Sequence, residues 1–113
     1  MQHIQGEERN QLQMFCLEQV IEADSFVRVI DFFVDSIDLA SFGFRHVSVK
    51  EEGRPPYHPA VLLKLYFYGY RYGVRSSRKL EREAKLNLEV RWLLCEQTPS
   101  ARTICMFRKE YAD

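Results

Sequence analysis

No run of apolar residues in this chain approaches the roughly 18 that a membrane-crossing helix needs. The opening stretch, MQHIQGEERNQLQ, is polar, so no secretory leader is visible. No membrane association is therefore expected, and a cytoplasmic location is. Cysteine is scarce: Cys16, Cys95 and Cys105 make three, an odd number, and stand far apart. A disulfide framework is excluded, and reduced thiols acting as small apolar side chains are expected instead. Histidine is as scarce, and His3, His46 and His58 form no close pair with a cysteine or with each other. Zinc sites are built from such pairs, so no metal site is expected and no cofactor is implied. There is also no nucleophile–base pair and no phosphate-cradling loop, so no catalytic residue is assigned and an enzyme is not expected.

The chain has 113 residues, enough for one domain with a single modest core, and we read residues 1–113 as that domain. Its formal net charge of zero hides a split. Residues 1–53 carry ten carboxylates and four cations, a balance of −6. Residues 54–113 carry twelve cations and six carboxylates, a balance of +6. An electropositive half can attract a polyanion while an acidic half does other work. The alternative is that the halves attract each other within the fold, or are simply solvated faces.

Periodicity points to helices throughout. Residues 1–12 read as a frayed end, and a short segment over 12–21 reads as helical. In ADSFVRVIDFFVDSI, the residues Phe26, Val29, Ile30, Phe33 and Ile37 fall on one helical stripe, with Asp24 or Ser25 as N-cap. Asp31, Asp35 and Asp38 then read as a solvated face without histidine partners. Gly43, Gly53, Pro55, Pro56 and Pro59 break the following segment into a loop with one extended stretch at RHVSV. Pro59 suits the first position of a helix that is apolar almost all round, with His58 capping it and Gly73 ending it. Tyr66, Tyr68, Tyr70 and Tyr72 point several ways from that helix, which favours core packing over a stacking platform. Ser76 or Ser77 caps the next helix, SRKLEREAKL, whose inward residues are Leu80 and Ala84, with Leu88 extending the stripe. A short helix LEVRWLL buries Val90, Leu93 and Leu94 and part of Trp92. The last helix opens with Thr98 as cap and Pro99 at its first position, and turns Ala101, Ile104, Phe107 and Tyr111 inward.

The expected architecture is all-α: a compact bundle of about five short helices with a helix-turn-helix-like second half. A last helix with an exposed polar face, held by short neighbours at sharp turns, is what a major-groove reader requires. The cations of residues 75 to 85 lie outside the apolar stripe and are placed to flank phosphates.

Three strings carry a resemblance: FVRVIDFFVDSIDLASFGF, GRPPYHPAVLLKLYFYGYRYGVRSSRKLEREAKLNLEVRWLL and RTICMFRK. In this order they resemble the N-terminal domain of bacterial insertion-sequence transposases of the InsH type, over about residues 15 to 111. The second string is the most specific, with many unusual residues at fixed spacing. The resemblance implies a domain that binds double-stranded DNA at the element ends, the terminal inverted repeats. It also implies, in an intact relative, a following catalytic domain of ribonuclease-H-like fold whose Asp-Asp-Glu triad binds two magnesium ions. No residue here matches that triad, so this chain is not expected to transpose DNA alone. Family members often carry an acidic residue and a histidine after the proline that opens the last helix. Ser100 and Ala101 stand there, and the usual serine before the FR region is Cys105 here, followed by Met106, so if that helix reads bases, either a different preference or a weakened one is expected.

Two sets of residues form the candidate interface. Arg75, Ser76, Ser77, Arg78, Lys79 and Arg82 are assigned to phosphates at a helix start. Arg102, Thr103, Met106, Arg108 and Lys109 are assigned to bases or backbone from the recognition helix. The competing reading makes the chain a dimerisation or interdomain docking module without direct DNA contact. Its partner would be a second copy or the catalytic domain of an intact relative.

Overall fold

Four polar side chains start helices by accepting hydrogen bonds from backbone N–H groups that a helix end leaves unpaired. Ser25 Oγ accepts from Val27 at 3.4 Å and Ser76 Oγ accepts from Lys79 at 3.3 Å. His58 Nδ1 accepts from Ala60 at 3.0 Å, and Asn87 Oδ1 accepts from Glu89 at 2.8 Å. The computed structural model describes residues 3–38 and 57–111. Within them lie six α-helices: α1 (Leu17–Val20), α2 (Phe26–Asp35), α3 (Pro59–Tyr72), α4 (Ser77–Leu86), α5 (Leu88–Leu93) and α6 (Ala101–Tyr111). No strand occurs among the described residues, so the fold is all-α. The expected loop with its RHVSV stretch and Pro55–Pro56 pair lies outside the described residues.

Helix α3 packs against α2 and α5, while α4 packs between α5 and α6. The core they share is built from Val27, Ile30 and Val34 of α2, Leu62, Leu65 and Tyr68 of α3, Leu80 and Ala84 of α4, Val90 and Leu93 of α5, and Ile104 of α6. Pro59 stands at the start of α3 as expected, and Gly73 ends it in the left-handed conformation at φ 75°. Helix α5 ends differently. The Glu96 N–H reaches back to the Arg91 carbonyl at 2.8 Å and the Cys95 N–H to that of Trp92 at 3.2 Å, with Cys95 at φ 52° and Glu96 at φ 67°. That is a Schellman closure made without glycine. Arg91 steadies it by pairing with both Glu96 carboxylate oxygens, at 2.8 and 2.9 Å.

Several sequence expectations are corrected. The expected stripe of α2 is rotated: Val27, Ile30 and Val34 are buried, while Phe26, Val29 and Phe33 are exposed. Val27, Ile30 and Val34 are themselves a helical apolar stripe, and beside it the Lys64 ammonium of α3 meets Asp31 at 2.7 Å and Asp35 at 3.0 Å, with the phenylalanines at the rim. Asp31 and Asp35 are thus ion-pair partners and not a free solvated face. There Phe33 still meets Phe67 edge-on at 5.8 Å, and Arg71 lies 4.9 Å over the Phe26 ring.

The first helical segment shrinks to one turn, because Leu12 and Met14 have nothing to pack on and stand exposed. Tyr68 alone of the four tyrosines is buried; Tyr66, Tyr70 and Tyr72 are exposed. Leu88 is exposed too, since Asn87 turns the chain before it. Helix α6 begins at Ala101, later than expected: Ser100 Oγ accepts from the Thr103 N–H at 3.2 Å, and Pro99 is buried ahead of the helix. All three cysteines are exposed, so none acts as a core side chain.

Candidate nucleic-acid interface

The order of residues in α4 decides which side chains reach solvent. Leu80 and Ala84 are fully buried, so the opposite side of the helix carries Arg78, Arg82 and Lys85, with Lys79 beside them. The turn before α4 is tight. A Cβ built on Gly69 would stand 2.5 Å from the Val74 carbonyl oxygen and 3.2 Å from Leu80 Cδ2. Glycine there lets the chain fold back closely enough to carry Arg75 and the Ser76 cap to the start of α4. Ser77, half-buried, is the first helical residue.

Arg75, Arg78, Lys79 and Arg82 are exposed, and none forms an ion pair with any described residue. Lys85 differs, since its ammonium holds Glu81 at 3.2 Å, the i,i+4 pair legible in the sequence. Glu81 also accepts the Ala101 N–H at 3.2 Å and so ties the start of α6 to α4.

One residue separates α4 from α5. Asn87 closes the first helix through its N–H to the Glu83 carbonyl at 2.8 Å and caps the second with its side-chain oxygen. Its amide donates to Glu83 Oε1 at 2.9 Å and to the Tyr68 hydroxyl at 3.3 Å, and that hydroxyl donates to Glu83 at 2.8 Å. Burial and the Glu83 carboxylate push the Tyr68 hydroxyl far above its ordinary range, so it stays a proton donor. Through these bonds Tyr68 of α3 is tied to the junction of α4 and α5. Only the i,i+4 spacing of Glu83 and Asn87 was available in the sequence to signal this.

Helix α6 presents a mixed surface. Ile104 is buried and Phe107 packs against the core, which leaves Arg102, Met106 and Lys109 exposed. Arg102 and Lys109 form no ion pair with any described residue. Thr103 and Arg108 are placed elsewhere. The Thr103 hydroxyl bonds that of Ser100 at 3.0 Å at the helix start. Arg108 donates a hydrogen bond to the Arg75 carbonyl oxygen, and its guanidinium lies 5.9 Å over the Tyr66 ring. The structure therefore gathers Arg75, Ser76, Arg78, Lys79 and Arg82 around the start and outer side of α4, and Arg102, Met106 and Lys109 on the outer side of α6, while α4 and α6 pack together.

Among the described residues, no group of three or more His, Cys, Asp or Glu side chains is arranged to hold a metal ion. No described helix is long and apolar enough to cross a membrane.

These features define an all-α domain with cations on adjoining helices that pair with no described residue. The family model described as Transposase domain (DUF772) matches residues 15–110, and the chain belongs to that family. No curated protein and no solved structure gave a match.

Proposed function

We propose that the chain is the DNA-binding domain of a mobile-element transposase and recognises the terminal inverted repeats of its element. The observation that carries this reading is the state of Arg75, Arg78, Lys79 and Arg82: exposed, clustered at one helix start, and unneutralised by any described residue. Charges kept apart from internal partners are available to phosphates, and each phosphate neutralised releases counterions. Helices α4 and α5 with α6 then act as a helix-turn-helix-like unit. The start of α4 holds the backbone, and Arg102, Met106 and Lys109 of α6 reach base edges. In this reading the chain supplies binding, and the strand chemistry belongs to a catalytic domain of an intact relative.

A mobility-shift titration tests it. The unaltered chain should bind duplex carrying an element end more tightly than a scrambled duplex, and R78E/R82E should abolish the shift. Undiminished binding by that variant rejects the assignment.

A second reading has its own observation. Val29, Phe32 and Phe33 form an exposed apolar row on α2, with Phe32 77% exposed. Such a row suits docking on a second copy or on another domain. Light scattering with and without duplex separates the two: a dimer indifferent to DNA at low salt supports docking alone.

A further inference from the structure

Arg108 sits among the cations of α6, yet its guanidinium is turned away from the outer side of that helix. It is half-buried and donates to the main-chain carbonyl of Arg75, 33 residues earlier. The same guanidinium lies over the ring of Tyr66, one helix further back. One side chain of α6 therefore binds the turn between α3 and α4 and rests on α3. The next residue after Arg75 is Ser76, the cap of α4, and the conformation of that turn decides where the Arg75 side chain points.

From this geometry we infer that Arg108 is a positioning residue of the DNA interface, which acts through Arg75 and does not itself contact DNA. The inference rests on the reading of the chain as a DNA-binding domain. Two physical features favour positioning over contact. A guanidinium is planar and weakly hydrated, so it can bond a carbonyl and lie flat on a ring at once; an ammonium has the donors but no planar face to stack. A hydrogen bond from a charged donor is also among the stronger ones, and here it joins two segments that the chain connects only at long range. The consequence is that the turn carrying Arg75 is held in one arrangement. The Arg75 side chain is then aimed before DNA arrives, which lowers the ordering cost of binding.

The test is a double-mutant cycle on binding to element-end duplex, with R75A, R108A, the double variant and R108K, and with R78E/R82E as a check on the underlying reading. Both single changes should weaken binding by about tenfold, the effect of losing a charge-assisted contact. The double variant should be no weaker than either single one, because Arg108 acts through Arg75. R108K can donate to the Arg75 carbonyl but cannot lie flat on Tyr66, so it should bind more weakly than the unaltered chain and no more weakly than R108A. Additive losses, or full affinity in R108K, would overturn the inference and make Arg108 a direct phosphate contact. Melting curves confirm that each variant is folded; should R108A not fold, the comparison of R108K with the unaltered chain still decides between the two. If R78E/R82E binds normally, the DNA reading itself fails, a result distinct from failure of the Arg108 cycle.

Discussion

Gly69 shows how much one missing side chain can decide. It lies inside α3, where glycine is unfavourable, yet a methyl group there would collide with the Val74 carbonyl at 2.5 Å. Gly69→Ala is expected to destabilise the fold by about 1–3 kcal/mol, because backbone and not a flexible side chain must move. A thermal melt checks this; an unchanged or raised Tm would mean that the turn relaxes freely. Cys95 is the opposite case. It holds φ 52° at the closure of α5, a conformation that suits glycine better than any residue with a Cβ. Cys95→Gly should raise stability by about 0.5 kcal/mol or more once the added freedom of the unfolded chain is subtracted. A fall in Tm would refute that. Single residues of this kind were unevenly legible. Gly73, His58 and Pro59 announce their roles, because a cap or a helix start needs only its immediate neighbours. Gly69 announces nothing, since its neighbour Leu80 comes from the next helix.

At the scale of helices, α2 and α3 are clasped by Lys64, whose side chain is only 11% exposed, between Asp31 and Asp35. Burial alone would lower the lysine's pKa. The hydrogen bonds and charges of the two aspartates outweigh it, and the ammonium ends above its ordinary value of 10.5. The folded chain therefore holds this proton more tightly than the unfolded chain does. The stabilisation is full below pH 10.5 and is lost as pH rises through the folded value. Tyr68, raised by burial and then by Glu83, acts in the same direction. Stability should thus fall from about pH 10 upward, as urea titrations at pH 8 and at pH 11 would show. If Lys64→Met leaves that alkaline decline unchanged, the lysine is not part of it. The two aspartates also back each other up. Asp31→Asn alone should cost about 1 kcal/mol or less, while the D31N/D35N pair should cost more than the two single changes together. Helix α2 carries two overlapping apolar stripes, so its period alone does not fix which edge faces inward; Val27, Ile30 and Val34 are buried, with Lys64 of the next long helix paired to Asp31 and Asp35 beside them. In α4, by contrast, Leu80 and Ala84 are the only apolar residues between dense cations until Leu86, so the inward side was unambiguous.

Across the whole molecule the charge split resolves asymmetrically. From the acidic half, Asp31, Asp35 and Glu18 all bond residues inside the fold, Glu18 through Arg28 at 2.8 Å and the Trp92 indole at 2.9 Å. From the basic half, only Lys64 is seen to answer an acidic-half carboxylate among the described ion pairs. Arg75, Arg78, Lys79, Arg82, Arg102 and Lys109 form no ion pair with any described residue. If all of them met phosphate, the logarithm of affinity would fall by about 5 per decade of salt. Any that read bases would subtract from that slope and appear in sequence preference instead. The two groups should therefore separate in a single experiment. Arg82→Ala should weaken binding to every duplex alike and reduce the salt slope by about 0.9, while Arg102→Ala should change which sequences are enriched from a random pool. Met106→Ala should leave the salt slope intact, since no charge is lost, and shift enrichment at a position where a thymine methyl is met. Enrichment that is identical for all three variants would mean that α6 reads no base. The exposed cations would then form an electrostatic footing alone, and the search for the sequence reader would move away from α6.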